Sequence, residues 1–290
     1  MKVLNIGSLN YDYTYTVQNF LQPGETQSSL NFQIFCGGKG LNQSIALARA
    51  GISVYHGGIV GDDGEELIEV LEENNVNTKY IKKCKGKSGH AIIQLNEKGE
   101  NCILLHGGTN QNFRREYIEE ILAEFESGDI LLLQNEINEL PFIVDKAFEK
   151  GMYIVLNPSP FNEELKNCDF KKISMFFINE IEGNQITGAD NPENIINTMK
   201  EKYPQSQIVL TLGESGVWYA DENKLLKEDA LKIKVIDTTA AGDTFTGYFV
   251  SGMIEQTEVQ ENLKRSTKAA AIAVSRKGAM QSIPLKEEVI

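Results

Sequence analysis

One run of small residues could hold a phosphate: Asp237-Thr238-Thr239-Ala240-Ala241-Gly242-Asp243. It stands between a predicted strand, 231–236, and an apolar run, 244–254, that predicts a buried helix. The small side chains leave the backbone N–H groups open to an anion at the positive end of that helix. Asp243 would repel a bound phosphate unless it takes a proton from an attacking hydroxyl. The alternative is that Asp243 caps the helix, but a cap explains neither the small residues nor Asp237, so the run favours phosphoryl transfer.

Polar residues follow two predicted strands, at the positions where open α/β sheets bind ligands. Asn10 and Asp12 come after the strand at 3–8, and their i, i+2 spacing lets both side chains point toward one small molecule. Glu136 comes after the strand at 129–133. Polar turns would explain each of these residues separately.

Two glycine-containing segments could contact a ligand through their backbone. The first segment is Gly37-Gly38-Lys39-Gly40-Leu41-Asn42-Gln43, which begins a helix that ends near Gly51. Asn42 lies on the first turn of this helix, on the side where the glycines could contact a ligand. The segment matches neither the P-loop of nucleoside triphosphatases nor the dinucleotide-binding fingerprint, and tight packing of the helix start is the alternative explanation. The segment 212–216 precedes an outer strand and could lie against a nucleotide, or form a plain hairpin turn.

The elements around these segments alternate between short apolar strands and helices, which predicts a doubly wound, mostly parallel α/β sheet with its polar residues at one edge. Four strand-like runs interrupt this alternation, at 13–19, 28–34, 89–96 and 101–106, with turns at 22–25 and 97–99. We predict that they form a small separate sheet, a lid made by about 11–36 and 88–106. The whole chain, 1–290, is then one domain with this lid.

Composition limits the partners. The net charge of −13 disfavours nucleic acid and anionic membranes. The four cysteines show no metal-ligand spacing, and no apolar segment approaches the ~18 residues of a membrane span. These features predict a cytoplasmic protein with reduced thiols.

Together, the glycine-rich segment and the run ending in Asp243 resemble the two signature motifs of the ribokinase-like (phosphofructokinase B-type) carbohydrate kinases. The segments 106–110 and 271–279 match as well. The resemblance implies a doubly wound sheet with helices on both faces and a β lid, and ATP-dependent phosphorylation of D-ribose at O5, giving D-ribose 5-phosphate. Other acceptors stay open, namely 2-deoxyribose, a fructose-type sugar or a nucleoside such as adenosine, as does a non-catalytic sugar-binding sensor.

The resemblance also implies a role for each matching position. Asp243 would be the catalytic base and would contact the sugar, and the other sugar-binding positions would be Asn10, Asp12, Gly38, Lys39, Asn42 and Glu136. The transferred phosphate would lie on the anion hole of Ala240, Ala241 and Gly242. The nucleotide would contact Asn179, Thr211, Leu212, Gly213, Glu214, Ser215, Gly216 and Thr267. Tyr11 occupies a position where the family commonly has a small residue, and it is expected to influence which pentose fits.

Two metal ions and a dimer are further implications of the resemblance. Glu182, in the Asn-x-x-Glu motif that begins at Asn179, would be linked to Mg²⁺. A monovalent cation, usually K⁺, would lie beside the anion hole, with much of its coordination from backbone oxygens at Asp237, Thr239, Ala273, Arg276, Gly278 and Ser282. The lid would pair with its copy in a homodimer.

Overall fold

The larger of two sheets carries the polar strand ends. The computed structural model describes residues 1–97 and 100–290. The strands of the large sheet are β1 (Val3–Ile6), β4 (Val54–Val60), β5 (Asn77–Lys83), β8 (Ile130–Gln134), β9 (Tyr153–Asn157), β10 (Met175–Asn179), β11 (Gln207–Thr211), β12 (Val217–Ala220) and β13 (Leu225–Glu228). Their order is β13-β12-β11-β10-β9-β8-β1-β4-β5, parallel from β11 to β5 and antiparallel at β12 and β13.

The order of the strands fixes where a ligand can bind. The chain passes from β1 to β4 on one side, and β8 later pairs with β1 on the other side. A crevice opens where the strand order reverses in this way, outside the carboxyl ends of the two strands. In this chain that crevice lies beyond Ile6 and Gln134.

Helices cover both faces of the sheet, as predicted. Their bounds are α1 (Lys39–Arg49), α2 (Glu65–Glu73), α3 (Arg115–Ala123), α4 (Leu140–Glu149), α5 (Glu180–Thr187), α6 (Pro192–Lys202), α7 (Ala241–Ile254), α8 (Val259–Val274) and α9 (Lys286–Val289). Because successive strand residues point to opposite faces, two apolar cores form: α3, α4 and α6 pack on one face, and α1, α2, α7 and α8 pack on the other. None of the helices in the described ranges is long and apolar enough to cross a membrane.

The second sheet contains the four runs that interrupt the alternation. Its strands are β2 (Asn10–Val17), β3 (Asn31–Gly37), β6 (Gly89–Asn96) and β7 (Asn101–His106), in the order β3-β2-β6-β7. At its base, Asn10 pairs with both Gly37 and Gly89. The sheet therefore begins where β1 ends. Of the predicted turn at 97–99, residues 98 and 99 lie outside the described part of the chain.

The predicted strand at 231–236 is wrong. The alternation of apolar residues and lysines there is typical of a strand, but β13 already forms that edge of the sheet and the segment pairs with no strand in the described ranges. The end of the segment is anchored to α8, because the Ile236 and Asp237 N–H groups donate to the Val274 carbonyl. Strands β5 and β13 and helices α5 and α9 were not predicted.

Candidate active site

Asp243 lies on the first turn of α7 and contacts α1. Its side chain is 8% exposed, and its Oδ2 and Oδ1 atoms accept hydrogen bonds from Asn42 Nδ2 at 3.0 Å and Gln43 Nε2 at 2.9 Å. The residue at the N-cap of α7 is Ala240, and among the described residues no side chain makes a capping hydrogen bond to this helix. The capping explanation of Asp243 is therefore wrong, and the two motifs meet at this carboxylate.

The start of α7 has an exposed backbone. Ala240 has φ 59° and ψ 9°, a left-handed conformation that is rare for a residue with a Cβ. A Cβ added to Gly242 would have no atom within 4 Å, so it would project into open space. The first turn of a helix presents N–H groups that have no partner within the helix. The geometry therefore leaves room for an anion beside Asp243.

Asn10 and Asp12 lie at the base of the small sheet and point to the same face of β2. The Asn10 Oδ1 atom accepts a hydrogen bond from Asn110 Nδ2 at 2.7 Å. Burial, followed by the nearby carboxylates of Glu136 and Asp243, raises the pKa of Asp12 to about 7. Asp12 therefore keeps its proton to a higher pH than an ordinary aspartate.

Tyr11 lies between these two residues but faces the other way. Its hydroxyl donates to the Asp63 carbonyl at 2.7 Å, and its ring is buried in the core between the sheet and its helices. The expected influence of Tyr11 on the choice of pentose is not supported, because the two-residue period of a strand turns it away from Asp12.

Glu136 and Lys39 complete the polar mouth. The Glu136 Oε2 atom accepts hydrogen bonds from the Lys39 N–H at 3.1 Å and from the Ser8 hydroxyl. Burial would lower the pKa of Lys39, but four carboxylates outweigh it and raise the pKa: Asp243, Glu136, Glu182 and Asp12. Lys39 is therefore a cation among acids. Gly38, with φ 93°, packs tightly against Ser8 and Asn10.

The positions expected to bind the nucleotide lie at neighbouring strand ends. Asn179 and Thr211 are register partners at the ends of β10 and β11. The next residues, Leu212, Gly213, Glu214, Ser215 and Gly216, form a single turn that closes with a 2.8 Å bond from the Leu212 N–H to the Gly216 carbonyl. Because β11 and β12 are antiparallel, this turn is also a hairpin connection, which was the alternative to a nucleotide-binding loop. Thr267 lies on α8 with its hydroxyl buried, and within residues 1–97 and 100–290 this hydroxyl has no hydrogen-bond partner.

Glu182 has a local structural role. Its Oε2 atom accepts from the Asn179 N–H at 3.0 Å, and the Asn179 Oδ1 atom accepts from the Glu182 N–H at 2.9 Å, which makes a capping box at the start of α5. The Glu182 Oε1 atom also accepts from Asn179 Nδ2 at 3.2 Å. Within residues 1–97 and 100–290, no cluster of three or more acidic, histidine or cysteine side chains could hold a metal ion.

Hydrogen bonds to Asp237 connect two of the other residues expected to bind the monovalent cation. Its Oδ1 atom accepts from the N–H and hydroxyl of Thr239 at 2.9 and 2.6 Å, and its Oδ2 atom accepts from the Gly278 N–H at 3.0 Å. The Arg276 N–H donates to the Ala273 carbonyl, but the Arg276 guanidinium pairs with Glu288. The Ser282 hydroxyl donates to Ala279. Carboxylate and carbonyl oxygens near the negative end of α8 suit an alkali cation.

Several buried polar residues of the site were not identified as functional from the sequence. Ser8 contacts Glu136, Asn110 contacts Asn10, and Gln134 contacts Gln43. The available signal was position: Ser8 and Gln134 lie at the ends of buried strands, and Gln43 ends a motif. The pairings themselves depend on which strands become neighbours.

The fold and the site define a carbohydrate kinase. The model of the pfkB family carbohydrate kinases matches residues 1–286, and the chain belongs to this family. Members of the family are phosphotransferases that act on sugar hydroxyl groups, and so is this enzyme.

Individual relatives cover nearly the whole chain. A ribokinase of Staphylococcus aureus is 34% identical over 99% of this chain and 98% of its own length. A deoxyribokinase of Salmonella typhi is 30% identical over 99% and 97%. The structure of a ribokinase from Cryptococcus neoformans in complex with ADP has a TM-score of 0.87 at 32% identity, over 99% and 98% of the two chains. An Arabidopsis thaliana ribokinase complexed with ribose and ATP has a TM-score of 0.85 at 27% identity, over 99% and 97%.

Proposed function

We propose that this enzyme transfers the γ-phosphate of ATP to the O5 hydroxyl of D-ribose, giving D-ribose 5-phosphate and ADP. The observation that carries the proposal is the position of Asp243, a buried carboxylate held by two amides beside the open N-terminus of α7. The relatives named ribokinase, one of them complexed with ribose and ATP, support the choice of substrates.

The sugar would bind at the polar mouth formed by the small sheet and the ends of β1 and β8. Asn10, Asp12, Lys39, Asn42 and Glu136 supply carboxylate, amide and ammonium groups that match adjacent hydroxyls. Gly38 would let the ligand approach the backbone. A sugar lacking one of these hydroxyls would leave a buried polar group unpaired, which disfavours its binding.

Phosphoryl transfer needs positioning and charge stabilisation more than covalent chemistry. Asp243 would accept the proton of O5 as the phosphorus is attacked in line. The N–H groups of Ala241 and Gly242 would face the oxygens of the transferred phosphate. The strand ends at Asn179 and Thr211, the turn 212–216 and Thr267 would hold the rest of the nucleotide.

Two cations would assist this chemistry. Mg²⁺ would be bound by the phosphates and by water, with Glu182 in its outer shell. A K⁺ ion would be held by the loop that Asp237 ties to Thr239 and Gly278, with Ala273, Arg276 and Ser282 contributing backbone oxygens. Its positive charge would strengthen the field at the anion hole without touching the substrate.

The small sheet would close over the sugar as a lid of one kinase domain spanning 1–290. It would also pair with the lid of a second copy, because apolar side chains on one face are exposed: Phe32 by 44%, Ile34 by 51% and Leu104 by 67%. We further propose a cytoplasmic location, where ATP is available and the four free cysteines would stay reduced.

The acceptor is tested with a panel. Coupled ADP release is measured with ribose, 2-deoxyribose, fructose and adenosine in KCl, and ribose should give the highest kcat/KM. The similarity to a deoxyribokinase makes 2-deoxyribose the second candidate. A higher kcat/KM with any other acceptor would contradict the proposed substrate, and sugar binding without ADP release from any of them would indicate a sensor.

A further inference from the structure

Gln43 links Asp243 to the interior of the sheet through both ends of its amide. The Nε2 atom donates to Asp243 Oδ1 at 2.9 Å, and the Oε1 atom accepts from Gln134 Nε2 at 2.6 Å. Both glutamine side chains are fully buried. An amide that reversed its ends here would turn its oxygen toward a carboxylate, so only one orientation satisfies Asp243.

A backbone carbonyl fixes that orientation from a distance. The Asn5 Nδ2 atom donates to the Gly40 carbonyl and to the Ser44 hydroxyl, each at 2.8 Å. Because a carbonyl can only accept, Asn5 must present its Oδ1 atom to Gln134, whose Nε2 atom donates to it at 3.0 Å. The same Gln134 nitrogen then faces the Gln43 oxygen. Each amide in the series Asn5, Gln134 and Gln43 is thus oriented by the one before it.

We propose that Gln43 is a positioning residue for catalysis, which holds the Asp243 carboxylate in its productive orientation and is itself oriented by Gln134 and Asn5. This inference rests on the proposed role of Asp243 as the acceptor of the sugar proton. Asn42 fixes one carboxylate oxygen and Gln43 fixes the other, so the carboxylate cannot rotate about its Cβ–Cγ bond without losing a buried hydrogen bond.

At the Asn5 end, the series continues through the Ser44 hydroxyl to His56, which is neutral. The Ser44 hydroxyl lies 2.8 Å from His56 Nδ1, and burial lowers the pKa of His56 to about 3. A histidine that stays neutral at working pH supplies no proton to Asp243. The series therefore acts by geometry.

The test replaces the amides by a side chain of similar size that cannot donate. Gln43→Met, Gln134→Met and the double variant are compared in kcat and in the KM values for sugar and ATP. Each single variant should lower kcat by about 10- to 100-fold and change both KM values by less than about threefold. The double variant should be no slower than Gln43→Met, because Gln134 acts only through Gln43.

A matched control removes a buried amide elsewhere. Asn262 is buried on α8 and donates to the Phe249 carbonyl at 2.8 Å. Asn262→Leu should lower the melting temperature and leave kcat unchanged. If Gln43→Met does not fold, Gln134→Met carries the test alone, since it leaves the Gln43 amide in place.

Two results would overturn the inference: wild-type kcat in both single variants, or a double variant in which the two losses multiply. Asp243→Asn separates this from the failure of the proposed function. If Asp243→Asn is inactive while the glutamine variants are normal, only the positioning role fails. If Asp243→Asn turns over normally, the proposed base fails first.

Discussion

Asn42 and Asp243 are 201 positions apart in the chain, and Asn42 Nδ2 donates a 3.0 Å hydrogen bond to Asp243 Oδ2. This bond joins the first turn of α1 to the first turn of α7. The Asn42 Oδ1 atom is buried and has no hydrogen-bond partner in the part of the chain that the structure describes. One sugar hydroxyl could donate to this Asn42 oxygen. That hydroxyl would then lie next to Asp243, the carboxylate proposed to accept the proton of the reacting O5 hydroxyl, so that recognition of the sugar would be coupled to the reaction.

Asp12→Asn should stabilise the enzyme in a pH-dependent way. The pKa of Asp12 is raised from 3.8 to about 7 in the fold, so the folded protein holds a proton that the unfolded chain has lost between these values. The wild type therefore loses stability as pH rises from about 4 to 7, by on the order of 2–4 kcal/mol. The melting temperature of the variant should exceed that of the wild type by several degrees at pH 8, and the difference should shrink toward pH 5. A difference that stays constant with pH would contradict the assignment.

Gly242→Ala should make the enzyme more stable and less active. A methyl group here meets no protein atom, and alanine favours a helix over glycine by about 1 kcal/mol. The same methyl group would occupy the space proposed for the transferred phosphate, so kcat should fall by about 100-fold or more. Thermal melts and ADP release are measured on the same samples, with sugar binding by calorimetry as the control. An active, stabilised variant would place the phosphate elsewhere.

Gly89→Ala should weaken sugar binding. A Cβ here would overlap Asn10 Oδ1 and Asn110 Nδ2, the two atoms of the hydrogen bond that orients the Asn10 amide. The KM for the sugar should rise by about tenfold or more, with the KM for ATP nearly unchanged. Gly24→Asn is the control, because that glycine lies in open space between β2 and β3 with φ 83°, which asparagine tolerates. Equal KM values for the sugar in both variants would refute the role of Asn10.

Activation should be greater with KCl than with NaCl at equal ionic strength, and Asp237→Asn should abolish the difference. Replacing the carboxylate removes its negative charge. One of the two oxygens becomes an NH₂ group, which cannot accept, so the hydrogen bond from either the Thr239 or the Gly278 N–H group is lost. Asp221→Asn is a matched control, because Asp221 also holds a turn by accepting from the backbone N–H groups of Asn223 and Lys224. Its variant should keep the response to K⁺. Equal wild-type rates in both salts would remove the proposed cation.

The sequence predicted the carboxyl edge of the sheet as the site, because polar residues at strand ends and the two motifs are local features. The bounds predicted for the strands at 89–96 and 101–106 agree with β6 and β7. The strand predicted at 231–236 was wrong. The alternation of apolar and polar residues favours a strand, but a strand forms in a sheet only where a neighbouring strand can pair with it. The contact between Gln43 and Gln134 was missed for the same reason. Whether a buried amide finds a partner 91 positions away depends on the order of β1, β8 and α1 in space.

The most direct measurement is the turnover of Asp243→Asn with ribose and ATP. Asparagine keeps the size of the side chain but cannot take a proton at neutral pH, so kcat should fall by about 10²–10⁴-fold while ribose still binds. Calorimetric titration with ribose establishes that the variant retains its sugar site. Turnover at the wild-type rate would contradict the assignment of Asp243 as the base on which the account depends.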